Sequence, residues 1–190
     1  GSALATLGEM YLTLKKYPEA VSTLQQILTM GYSLMPNYAD VFSTTMKNNA
    51  ESVFEVQYTD IEGAGFPCLQ CSEGNVAVGF SGIRNYSGTI FSSGFSFNVP
   101  TKEAADAFEI GDRRKDVAIL DIEAWAASTS ATFGKGNEHT GYFNRKYLPR
   151  KRSANAAGDL NLTNPNNYRA IRYADVLLMA AEAYSRGGID

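Results

Sequence analysis

Between Ala3 and Lys16 the apolar residues Leu4, Leu7, Tyr11 and Leu14 recur at helical spacing, which predicts a helix with one inward face. Tyr17-Pro18 breaks that pattern, and Pro18 is suited to the first turn of a second helix. The second helix would turn Ala20, Leu24, Ile27 and Leu28 inward and stop at Gly31. A linker with one helical turn then runs to Phe42. Glu51 to Thr59 alternates, with Phe54, Val56 and Tyr58 on one side and Glu55 and Gln57 on the other, which reads as a half-buried strand. Ile61 to Asn98 has seven glycines, many serines and scattered aromatics without a period. It is expected to be irregular with short strands, ordered by its aromatic residues. Thr101 is placed to cap a helix running towards Gly111. Asp116 to Ala127 fits a strand or a short helix, Ser128 to Glu138 an exposed loop, Gly141 to Tyr147 a strand, and Arg150 to Asn167 a long polar connection. From Asn167 to Tyr184, Ile171, Val176, Leu177, Ala180, Ala183 and Tyr184 form an amphipathic helix. Glu182 stands one turn before Arg186, and Gly187-Gly188 supplies a stop. The class is α+β, mainly α.

A chain of 190 residues can bury a sizeable core. Its 17 basic and 20 acidic residues give no bulk attraction for nucleic acid. No apolar run approaches the roughly 18 residues that cross a bilayer, and no charged start followed by an apolar stretch marks a signal peptide. Gly1-Ser2 reads as a cloning remnant, and Gly187-Gly188-Ile189-Asp190 as a turn towards a further helix, so the expectation is an excised piece of a larger protein.

Four strings carry a resemblance. Ile171-Arg172-Tyr173-Ala174-Asp175-Val176-Leu177-Leu178-Met179, followed by Ala181-Glu182-Ala183, is similar to the C-terminal helix signature of the SusD/RagB family. Tyr32-Ser33-Leu34 with Pro36-Asn37-Tyr38-Ala39-Asp40-Val41-Phe42, followed by Glu51-Ser52-Val53-Phe54-Glu55-Val56-Gln57-Tyr58, resembles the segment after that family's tetratricopeptide-like helices. Pro100-Thr101 with Ala105 to Arg114, and Gly141 to Leu148, resemble two later segments in the expected order. Leu7, Gly8, Tyr11, Ala20, Leu24 and Ile27, with Pro36 following, also match one tetratricopeptide-like (TPR-like) repeat. The resemblance implies a TPR-like helical hairpin scaffold over 1–42, a loop-rich insertion of mixed β and coil over 43–166, and a C-terminal helix over 167–190. It further implies an outer-membrane lipoprotein of Bacteroidetes-type bacteria, exposed at the cell surface. Its function would be to capture an oligosaccharide or polysaccharide without catalysis or cofactor and pass it to a SusC-like TonB-dependent transporter.

Candidate chemistry is sparse. Cys68 and Cys71 form a CxxC in a Gly-rich loop, where a local disulfide or free thiols are favoured over zinc, which lacks ligands beyond His139. His139 is the sole histidine and has no nucleophile motif around it, so the plain reading is a solvated side chain. Asp112, Asp116, Asp121 and Glu123 leave a glycosidase pair conceivable, although they sit among Arg113, Arg114 and Lys115 as a solvated helix end would. Arg145, Lys146, Arg150, Lys151 and Arg152 interleave with Tyr142, Phe143 and Tyr147, a pattern shared by single-strand binders and ordinary strands. Sugar recognition needs a flat apolar face with planar polar groups beside it. Arg84, Asn85 and Tyr86 offer guanidinium, amide and ring side by side, with Phe66, Phe91, Phe95 and Trp125 as further candidate faces. The competing reading makes these aromatics anchors of a core-poor loop region. Alternative functions are a TPR-type scaffold for a protein or peptide partner and, less favoured, a glycoside hydrolase.

Overall fold

The structure is a computed structural model that describes residues 1–63, 65–136 and 138–188. In chain order its elements are α1 (Ser2–Thr13), α2 (Tyr17–Leu28), a 3₁₀ turn (Tyr38–Phe42), β1 (Ser52–Val56), a 3₁₀ segment (Phe66–Cys71), α3 (Val76–Ser81), β2 (Ile83–Arg84) and β3 (Ser93–Gly94). There follow α4 (Lys102–Asp106), α5 (Lys115–Ala118), β4 (Ile119–Asp121), α6 (Ile122–Thr129), β5 (Tyr142–Asn144), a 3₁₀ turn (Arg145–Tyr147), β6 (Tyr168–Arg172) and α7 (Tyr173–Gly187). Among the described residues, two-stranded sheets pair β1 with β6, β2 with β3, and β4 with β5. Among the described residues no helix is long and apolar enough to cross a membrane.

The chain forms two compact units. The first gathers Gly1–Val41, Met46–Val56 and the chain from Tyr168. Its core joins Ala5, Leu24, Ile27, Val53, Val176 and Ala180, with Ala20, Val21 and Ala183 as a neighbouring cluster. The buried residues of α1 are the small Ala5 and Gly8, while Leu7 and Leu14 lie exposed, against the expected stripe. Close approach explains this: a Cβ at Gly8 would lie 2.5 Å from Leu24 Cδ2. Leu28, expected inward, is also exposed.

The expected helix from Asn167 begins only at Tyr173, because 168–172 is a strand. Its partner β1 runs antiparallel, with register shifts on either side of Phe54. Those shifts bury Val53 and Glu55 and leave Phe54 exposed, the reverse of the face expected from alternation. Two charge pairs account for the reversal. Arg169 lies 3.6 Å from Glu55, and Arg172 lies 2.9 Å from Glu51. The backbone N–H of Arg172 donates to Asp175 Oδ2 at 2.8 Å, which starts α7. Gly188 ends it with φ of +60°.

The second unit, Phe42–Thr45 with Gln57–Asn167, is built around Ile83, Tyr86, Phe91, Leu120, Ile122, Phe143 and Leu148. Its loops owe their order to backbone packing and buried amides. A Cβ at Gly79 would overlap the Asn161 carbonyl, and one at Gly94 would overlap the Gly79 carbonyl. The end of the connection before β6 is buried at Leu162, Thr163, Asn164, Asn166 and Asn167, while much of 151–160 is exposed. Asn75 Nδ2 donates to the Asn166 carbonyl at 2.9 Å, Asn164 Nδ2 to the Asn161 carbonyl at 2.8 Å, and Asn166 Nδ2 to the Leu148 carbonyl at 2.9 Å. These asparagines replace sheet hydrogen bonds for main chain that water does not reach. The helix capped by Thr101 Oγ1 stops at Asp106, short of its expected end, and 115–129 divides into helix, strand and helix.

Candidate functional site

Four phenylalanines of the second unit meet at its surface. Phe80 lies on α3, and Phe95 and Phe97 follow β3. The loop is stitched to α3 by Phe95 N–H donating to the Gly79 carbonyl (3.1 Å) and Phe97 N–H to the Phe80 carbonyl (2.8 Å). Centroid distances are 5.7 Å for Phe80–Phe95, 6.0 Å for Phe80–Phe97 and 6.2 Å for Phe95–Phe97. Phe66 meets Phe95 edge-on at 6.1 Å. Phe66 starts the 3₁₀ segment that the Cys68–Cys71 disulfide closes. Phe66 is 58% and Phe97 54% exposed. Phenylalanine rings normally leave water, so a cluster that keeps two of them outside is the candidate surface.

Phe97 also forms one wall of a cavity of about 390 Å³, together with Arg84, Ser96, Lys135, Glu138 and His139. Positive φ at Ser96 (+59°) and Asn98 (+53°) bends the backbone on both sides of Phe97. Ser96 Oγ accepts the Arg84 N–H at 2.9 Å, and Arg84 Nη2 donates to the Phe95 carbonyl at 2.9 Å. Lys135 Nζ sits 2.6 Å from Glu123 Oε1, and His139 Nε2 sits 3.5 Å from the same oxygen. The hydrogen bond from Lys135, with a smaller contribution from His139, holds the Glu123 carboxyl below its ordinary value. His139 stacks on Phe133 at 5.7 Å, so it is a packed side chain and not a solvated one.

The structure thus brings together Arg84, Phe66 and Phe95 of the expected set. Asn85 lies exposed beside them with φ of +50°. Tyr86 and Phe91 are corrections: at 7% and 1% exposure they are core residues, in edge contact at 5.8 Å, and offer no face to a ligand. Trp125 packs on that core and donates its indole N–H to Tyr86 Oη at 3.0 Å, with the Arg145 guanidinium 5.4 Å from its ring centre. It borders a second cavity of about 490 Å³ together with Asp116, Asp121 and Arg145. Sequence reasoning did not single out Phe80 and Phe97. The alternation Phe95-Ser96-Phe97 was the available signal for one of them.

Several of the remaining candidates have structural partners. Asp112 accepts hydrogen bonds from the Arg114 side chain and backbone, which lower its carboxyl to about 2. Asp121 caps α6 by accepting the Ala124 N–H at 3.0 Å. Within the basic cluster, Arg150 lies 4.8 Å from the Phe91 ring centre, and Lys146 lies 4.9 Å from that of Phe42. Arg152 donates to the carbonyls of Asp159 and Ala157. Burial, with repulsion from Arg145, keeps the Arg150 guanidinium below its ordinary value. The cluster is thereby spread over rings and carbonyls. Among the described residues no group of three or more His, Cys, Asp or Glu side chains is placed to hold a metal.

Residues 75–188 match the model of the SusD family. The chain belongs to that family. SusD-like protein P2 of Formosa agariphila is 27% identical over 191 residues, which cover 96% of this chain and 36% of that protein. Among solved structures, a laminarin-binding SusD-like protein superposes with a TM-score of 0.85 at 34% identity, over 96% of this chain and 43% of the other. A surface glycan-binding protein A from Bacteroides thetaiotaomicron, solved with laminarihexaose, gives 0.76 at 25% identity, over 94% and 41%. The SusD-family chain therefore spans about a third of the curated relative and about two fifths of these solved structures. The mainly helical fold with small sheets is the one these neighbours share.

Proposed function

We propose that this chain is the part of a cell-surface nutrient-binding protein that captures an oligosaccharide, without catalysis, on the ring cluster Phe66, Phe80, Phe95 and Phe97. The observation that carries this reading is the outward exposure of Phe66 and Phe97 from an otherwise packed aromatic group. An exposed ring face covers the C–H face of a sugar, while polar groups in the adjoining cavity satisfy its hydroxyls. The laminarin and laminarihexaose named for two structural relatives make laminarin the first ligand to test. In this reading α1 and α2 form a TPR-like hairpin. The whole protein would be lipid-anchored at the outer membrane and would deliver glycan to a SusC-like TonB-dependent transporter.

The test is retardation of the chain in gels containing laminarin, compared with Phe66→Ala and Phe97→Ala. Each substitution is expected to weaken binding by about tenfold, the loss of roughly 1.4 kcal/mol of ring contact. Unchanged retardation in both variants would move the site elsewhere. Released reducing ends would replace capture with hydrolysis. A second reading, docking of a protein partner, draws on the exposure of Met10 (57%) on α1 and of Leu14 (63%) just after it.

A further inference from the structure

The guanidinium of Arg84 has no carboxylate within ion-pair distance among the described residues, although it is half-buried and lines the cavity beside Phe97. Its Nη2 is bound only to a neutral carbonyl, and its Nε is buried with no hydrogen-bond partner. A cation withdrawn from water without a counter-charge is unfavourable unless an anion completes it. His139 Nε2, on the same cavity, is turned to Glu123 Oε1 at 3.5 Å and so leaves the orphaned Nε–H to Arg84. Gly136 leaves space at this point, since a Cβ there would lie 3.7 Å from Arg84 Nε and 3.9 Å from Ser96 Cβ. The Lys135 ammonium on the same wall is neutralised by Glu123 at 2.6 Å, so Arg84 is the cation of this cavity without a carboxylate partner among the described residues. Among the described residues Glu138 is the carboxylate that lines the cavity, and it is exposed.

We propose that this cavity is a subsite for an oxyanion carried by the glycan, a uronic-acid carboxylate or a sulfate ester, with Arg84 as its specificity-determining residue. The proposal rests on the capture reading and narrows its ligand class. A sugar stacked on Phe97 places its neighbour, or its own substituent, at the cavity mouth, because Phe97 belongs to both surfaces. Guanidinium recognises planar carboxylate and sulfate through paired, charge-assisted hydrogen bonds. The chain's net charge of −3 supplies no general attraction for polyanions, so a preference for them requires a local site.

Affinity gels and calorimetry with three soluble polysaccharides test this: neutral laminarin, carboxylated polygalacturonate and a sulfated galactan. One acidic polymer is expected to bind about tenfold more tightly than laminarin, with an affinity that falls as salt is raised. Which of the two binds identifies the anion. Arg84→Met should abolish that preference and its salt dependence, whereas Arg84→Lys should keep most of both. Stronger binding of laminarin than of either acidic polymer would overturn the anion subsite while leaving capture intact. So would an acidic preference that Arg84→Met does not change. Failure to bind any of the three would overturn capture as well. Where Arg84→Met is poorly folded, Arg84→Gln takes its place in the same assays, and an acidic preference that it leaves unchanged overturns the proposal.

Discussion

Glu55 and Arg169 face each other across β1 and β6 with charged atoms 3.6 Å apart and side chains 1% exposed. An ion pair so fully withdrawn from water is paid for by desolvation on both sides, and its contribution is conditional on both partners being present. Either Glu55→Ala or Arg169→Ala should lower unfolding free energy by about 3–5 kcal/mol, because each strands the other charge. An apolar pair of similar volume at both positions should restore much of the loss. Urea unfolding of the three variants checks this, and single losses below about 1 kcal/mol would show that the charges escape to solvent.

Tyr86 should behave as a core residue. Tyr86→Phe removes only the acceptor for the Trp125 indole and should cost about 1 kcal/mol of stability, with glycan retardation unchanged. Phe91→Ala opens a cavity in the same cluster and should cost about 3–5 kcal/mol. Thermal melts measured beside gel retardation separate the two effects. A loss of retardation in Tyr86→Phe at unchanged stability would return Tyr86 to the ligand face.

The Cys68–Cys71 disulfide closes the turn that presents Phe66 to Phe95. Replacing both cysteines by serine should weaken glycan binding by about as much as Phe66→Ala. Combining the two changes should weaken it no further, since neighbours acting through one contact do not add. Full additivity in calorimetric affinities would separate the disulfide from the ring.

Asp112 should titrate near 2, well below the ordinary 3.8, and Arg114→Ala should return it towards that value. The side-chain hydrogen bond from Arg114 favours the ionised form. Its contribution to stability is therefore complete above about pH 4 and is lost as pH falls through 2. Carboxyl chemical shifts followed through an acid titration give the midpoint in each form.

The helical part of the fold was legible where spacing and small residues act together, as at Gly8 against Leu24. It was misread at 168–172, where a residue pattern that fits a helix face belongs to a strand. Arg169 is drawn inside by Glu55, a partner more than a hundred positions away, and no local period records that. Phe54 failed for the same reason, because the register shifts beside it reversed the strand's faces. At the candidate site, composition located the Gly-rich loop and three of its groups, Arg84, Phe66 and Phe95. It did not separate rings that fill the core, Tyr86 and Phe91, from rings left outside, because that choice depends on which loop packs over which. The burial of Asn164 and Asn166 was hidden in the same way, since an asparagine run reads as solvated until the main chain it serves is known.

The overlaps that a Cβ would make at Gly79 and Gly94 mean that the path of the loop is held by main chain lying on main chain. The rings it displays take no part in that contact. Frame and display are therefore separable: Phe66 and Phe97 can be exchanged for tryptophan or tyrosine while the frame keeps its course. The ring chemistry of this surface can thus change without redesign of the main chain beneath it.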